Sequence, residues 1–123
     1  GGHAMHPNWG RYIDFLSKVQ AEGKAPGVLI HSAFLIAGNR ICPLTFAFQG
    51  AHGPGIMKNE IYGTLPSAEV DDVTELYDTW AGDRAGWEGG EPHTLPGSEA
   101  ISLFLQAFRY YAEPGEAGPG GVR

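Results

Sequence analysis

Three histidines and one glutamate are the groups in this 123-residue chain best suited to moving protons. His52 in "GAHGPG" and His93 in "GEPHTLPG" sit in glycine-rich stretches that can meet in space, and Glu60 can join them as an acid–base partner. The same "HGPG" is equally a turn that needs positive φ. His31, His52 and His93 each stand alone in a different segment, so no metal site is expected, and no cofactor fingerprint follows a strand. No serine occupies a nucleophile elbow. His31, inside "GVLIHSAFLIA", reads as a hydrogen-bonded core residue. Cys42 is the only cysteine, which excludes an internal disulfide. Its flanks Ile41, Pro43 and Leu44 favour a buried, slow thiol over a reactive nucleophile, since no neighbouring base is visible to ionise it. Enzymatic activity is left undecided, with the balance against it.

The second chemical feature is charge. Residues 69–91 hold Glu69, Asp71, Asp72, Glu75, Asp78, Asp83, Glu88 and Glu91 against one cation, Arg84, while the rest of the chain is close to neutral. A helix N-terminus accounts for Glu69, Asp71 and Asp72, because its dipole favours negative charge. It does not account for the others, which lack the interleaved lysines of an ordinary solvated helix. Two readings stand side by side: a plain solvated face, or a docking surface for a basic protein formed by Asp71, Asp72, Glu75, Asp78, Asp83, Glu88 and Glu91. Trp87 is either that surface's anchor or a ring folded onto the core. Direct nucleic-acid binding is excluded by the lack of clustered Lys and Arg.

The elements that must position these groups follow from periodicity. With 42% apolar and 11% aromatic residues, the chain suits a single domain over 1–123. "GGHAM" reads as a tag scar, with 1–7 a flexible start and 113–123 a flexible tail. No apolar run approaches the roughly 18 residues of a membrane span, so a soluble cytoplasmic protein with no membrane partner is expected. Trp9, Tyr12, Ile13, Leu16 and Val19 predict a helix over 9–22, with Asn8 as N-cap and Gly23 as stop. "GVLIHSAFLIA" predicts a buried strand turning at Gly38-Asn39 into a second strand, "RICPLTFAFQG", whose Pro43 marks an edge or bulge. "IMKNEIYGT" predicts a third, more exposed strand. Val70, Val73, Leu76, Tyr77 and Trp80 predict a helix from Ser67 to about Gly82, with Asp71, Asp72, Glu75 and Asp78 on its outer face. A long loop, "GDRAGWEGGEPHTLPG", leads to a last helix capped by Ser98, with Ile101, Phe104, Leu105, Phe108 and Tyr111 as its core stripe. The expected fold is α+β in the order α-β-β-β-α-α, an antiparallel sheet of about three or more strands with helices packed on one face.

The segment from Tyr77 onward, "YDTWAGDRAGWEGGEPHTLPGSEAISLFLQAFRYYAEPGEAGPGGVR", resembles the C-terminal part of immunity proteins of bacterial polymorphic toxin systems. Trp87, Pro96, Ala100, Ile101, Ala107 and Phe108 carry the resemblance, without that pattern's Arg-Pro pair or the tryptophan after Val122. It implies an α+β inhibitor that plugs the active site of a nuclease or deaminase toxin. The expectation is therefore a small acidic binding module for a basic, toxin-like partner. The alternative is a small enzyme or ligand-binding domain with His52, Glu60 and His93 at a pocket mouth. A third is self-assembly into a homo-oligomer through strand edges.

Overall fold

Pro43 opens a helix. The residue before a proline favours extended backbone, and proline itself is preset for the first helical position, where its missing N–H costs nothing. Cys42 is extended at φ −83° and ψ 169°, and its Sγ accepts the Thr45 N–H at 3.4 Å as an N-cap. The computed structural model describes residues 4–37 and 40–112. In it, "PLTFAFQGAH" is a helix, and Leu44, Ala47 and Phe48 are buried at helical spacing. The alternation of Leu44, Phe46 and Phe48 does not make a strand, because Phe46 instead leans on Phe15 of the first helix, ring centroids 5.6 Å apart.

"KNEIYGT" is helical for a similar reason. Glu60 Oε2 accepts the Met57 N–H at 2.7 Å, half of a capping box that ties off the start of the turn. Ile61 and Leu65 then bury one turn apart.

The described elements are α1 (Trp9–Ala21), β1 (Val28–Ile30), α2 (Pro43–His52), α3 (Lys58–Thr64), α4 (Ser67–Ala85), β2 (Thr94–Pro96) and α5 (Gly97–Ala112). The expected order α-β-β-β-α-α and its sheet of three or more strands are therefore overturned. Among the described residues there are five helices and one two-stranded antiparallel sheet. The predicted first strand keeps only Val28–Ile30, because Ser32 takes a left-handed conformation, φ 63°, that turns the chain out of line. The predicted turn at Gly38-Asn39 lies outside the described residues, as do the opening 1–3 and the tail 113–123. Leu35 and Ile41 still make a single antiparallel bridge.

β1's partner comes from the stretch expected to be a loop. Val28 pairs with Pro96, Leu29 with Leu95 and Ile30 with Thr94. The ladder runs on through the Gly97 N–H to the Gly27 carbonyl at 3.1 Å. α5 starts at Gly97 and not at a Ser98 cap, and a Cβ at Gly97 would collide with the Pro26 carbonyl oxygen.

The three long helices form where their periodicity predicts, but Ile13, Leu76, Trp80, Phe108 and Tyr111 of the predicted stripes are only half-buried. α1 buries Trp9, Tyr12, Leu16 and Val19, although Asn8 does not cap it; its side-chain amide donates to the Thr64 carbonyl at 2.9 Å and moors α1 to the end of α3. α4 runs three residues past Gly82, to Ala85, and closes on a left-handed Gly86 at φ 69°. α5 is the central element, packed against α1, α2, α4 and both strands. Its Phe104 meets Tyr77 of α4 edge-on at 5.7 Å, and the Tyr77 hydroxyl donates to the Ile30 carbonyl at 2.7 Å. Burying rings of this size contributes about 1.5–3 kcal/mol each, so α4, α5 and β1 hold one another in place. No helix among the described residues is long and apolar enough to cross a membrane.

Candidate functional site

α4 lies between two surfaces of opposite character. Val70, Val73, Tyr77 and Ala81 form its buried seam. On the outer side Asp71, Asp72, Glu75 and Asp83 are exposed. Asp71 is engaged, accepting the Tyr62 hydroxyl at 2.6 Å; burial, then this bond and the charge of Asp71, push the Tyr62 phenol up to about 12. Glu69 accepts the His6 N–H at 3.0 Å and the Trp9 indole N–H at 2.9 Å. Arg84, the segment's one cation, turns to Glu99 of α5 at 2.8 Å. Asp72, Glu75 and Asp83 are left with no counter-ion among the described residues.

Aromatic rings stand beside these carboxylates. Trp80 of α4 meets Tyr110 of α5 edge-on at 6.2 Å, and Tyr110 meets Tyr111 at 5.3 Å. All three are half-buried. Burial raises the Tyr111 phenol, and Asp72, Tyr110 and Glu75 raise it further, so this ring shares a negative field with the outer face of α4.

Asp78 does not belong to that face, contrary to the sequence reading. It points inward, where its Oδ1 accepts the Ser32 backbone N–H at 2.7 Å. Burial pushes its carboxyl up to about 6; the Ser32 hydrogen bond opposes the shift and Glu75 adds to it. Asp78 lies on the wall of a cleft of about 440 Å³ between segment 32–35, α2, α3 and α4. Phe34, Ile56, Met57, Tyr77 and Phe104 supply most of its apolar lining. At its mouth the Lys58 ammonium sits 5.4 Å from the Phe34 ring centre and 5.8 Å from that of Tyr62. Cys42, buried and free, also borders this cleft, and burial pushes its thiol up, away from the reactive thiolate.

Trp87 folds back onto the protein. Its indole N–H donates to the Glu91 carbonyl at 2.9 Å, its ring meets His31 edge-on at 5.1 Å, and it covers Gly82. Glu88 and Glu91 are exposed around it.

His52, Glu60 and His93 occupy three different settings. His52 Nε2 is 2.6 Å from the Tyr12 hydroxyl, Glu60 ties off α3, and the His93 N–H donates to His31 Nε2 at 3.4 Å. Among the described residues no hydrogen bond or ring contact joins the three, and no group of three or more His, Cys, Asp and Glu could hold a metal ion. His31 is fully buried with its Nδ1 at 2.7 Å from Ser32 Oγ; burial and the neighbouring His93 push its pKa down.

Sequence reasoning missed Ser32, Phe34 and Lys58, which come to the cleft only through the unforeseen turn at Ser32 and helix α3. It also missed Tyr110, which was legible as an aromatic just off the α5 core stripe, next to Tyr111. No protein-family model, curated protein or solved structure matches the chain.

Proposed function

We propose that this chain is a protein-binding module whose α4–α5 face takes a basic partner. One observation carries the reading: the half-buried rings of Trp80, Tyr110 and Tyr111 lie beside Asp72 and Glu75, two carboxylates with no counter-ion among the described residues. Aromatic rings are the usual anchors of protein interfaces, and arginine in particular stacks on them while pairing with a nearby carboxylate. The anchor role moves from Trp87 to Tyr110 and its neighbours. Asp78 leaves the contact set, and Asp83, Glu88 and Glu91 act at longer range by steering a basic protein toward the face.

In its finer form the proposal makes the chain an inhibitor of a nuclease or deaminase toxin. An enzyme that handles polyanionic substrates is basic around its active site, so an acidic face with aromatic anchors complements it. The immunity-protein resemblance no longer supports this through fold, since the α+β architecture it implied is absent; charge and aromatic placement are what support it.

The test uses the immobilised chain and its Asp72→Lys/Glu75→Lys variant. Wild type should retain from the source lysate a basic protein that the variant loses, and the purified pair should associate more slowly as salt rises. Tyr110→Ala should speed dissociation. A partner indifferent to salt and to both variants overturns the proposal.

A further inference from the structure

The cleft beside Asp78 is a separate surface of the same helix, and nothing in the partner-binding proposal uses it. Its composition is that of a ligand site: apolar walls with few polar groups placed at fixed points. Asp78 has two carboxylate oxygens, and only Oδ1 is spoken for, by the Ser32 N–H. No fully buried side-chain oxygen or nitrogen among the described residues lacks a partner. Oδ2, which has none, is therefore not fully buried, and Asp78 borders the cleft. Neither described ion pair involves Asp78.

We infer that this cleft binds a small ammonium ligand with an apolar or aromatic body, its cation paired with Asp78 Oδ2. A desolvated carboxylate without a counter-ion gains most from a cationic hydrogen-bond donor, and the rings of Phe34, Tyr77 and Phe104 suit the rest of such a molecule. Burial already raises the Asp78 carboxyl, so a paired ammonium relieves an existing penalty. The mouth of the cleft displays the same preference within the protein itself: the Lys58 ammonium rests over Phe34 and Tyr62. The left-handed Ser32 holds its N–H on Oδ1, fixing the carboxylate's orientation before any ligand arrives.

Three probes of matched body decide the matter: 3-phenylpropylamine, 3-phenylpropanol and 3-phenylpropionate, titrated into the full chain at pH 7.5 and followed by amide chemical shifts. The amine should bind about tenfold more tightly than the alcohol, with shifts confined to segment 32–35, the start of α2, α3, the middle of α4 and the surroundings of Phe104. Asp78→Asn keeps an oxygen for the Ser32 N–H but removes the charge, and it should bring the amine down to the alcohol's affinity. Lys58→Met, a change at an exposed position, should tighten the amine by removing a like charge, which a purely structural role for Lys58 would not produce. It also keeps the test open should Asp78→Asn fail to fold. Equal binding of amine and alcohol, preference for the carboxylate, shifts on the α4–α5 face instead, or no binding at millimolar amine each overturn the inference.

Discussion

Asp72 and Asp78 lie on one helix and in different solvents. Asp72 is exposed and only colours the field around Tyr111, whereas Asp78 is desolvated, tied to the Ser32 N–H and borders a cleft. The difference comes from what packs on each flank of α4. α5 covers one side, and segment 31–35 with Trp87 covers the other as far as Gly82, so the buried arc is wider than the apolar stripe Val70, Val73, Tyr77, Ala81. Acidic residues of one segment thus divide between long-range steering and short-range recognition.

The sharpest way to break this contrast is to place a lysine at each position. Asp78→Lys should cost about 3–5 kcal/mol, because it strands the Ser32 N–H and buries an unpaired cation. Asp72→Lys should cost about 0.5 kcal/mol or less. Urea midpoints measured side by side check both.

Next in size is the pH response of Asp78→Asn. The Asp78 carboxyl is raised from 3.8 to about 6 on folding, so the stability it contributes is present below about pH 4 and lost as pH climbs through about 6. The asparagine variant should be more stable than wild type at pH 7.5, by on the order of 2–3 kcal/mol, and indistinguishable from it near pH 4. His31 works in the opposite sense. Its pKa is depressed below 6.5 on folding, so its contribution holds above that pH and fades as pH falls. The two contributions oppose each other in the wild type between pH 7 and 5, and Asp78→Asn should expose the His31 decline. Thermal melts across this range measure it.

On the outer face the effects should shrink. Tyr110→Ala should lower stability by about 1 kcal/mol at most, since the ring is half-buried, while removing an anchor for the partner. Smallest of all, Asp72→Asn/Glu75→Gln should move the melting temperature scarcely at all yet lower the Tyr111 phenol pKa, read by its ultraviolet titration. A Tyr111 that does not respond would separate that ring from the acidic face.

Where the sequence was legible, the reason is length. α1, α4 and α5 each repeat an apolar residue every three or four positions over several turns, which no strand can match. α2 and α3 are short enough that Leu44, Phe46 and Phe48 fit a strand period equally well, and the deciding signals were local: Pro43 at a first helical position and Glu60 reaching back to Met57. β2 has three residues in a glycine-rich stretch, too few to show a pattern, and it exists because β1 needs a partner. Asp78 was misplaced because a helical wheel shows which residues are apolar, while the inward turn of an acid depends on a donor, Ser32, that the chain brings from far away.

The pairing of β1 with β2 joins stretches separated by most of the chain. Helix pairs such as α3 with α4 can meet early, since short loops close cheaply, but this small sheet can be completed only after residues 94–97 arrive. Until then the Gly27 carbonyl lacks the Gly97 N–H, and His31, next to Ser32, lacks the His93 N–H. Gly97, with no space for a Cβ over Pro26, is the point at which this sheet closes. In refolding, Gly97→Ala should leave the rapid recovery of helix signal unchanged and delay the burial of Tyr77, whose hydroxyl needs the Ile30 carbonyl of β1 in place.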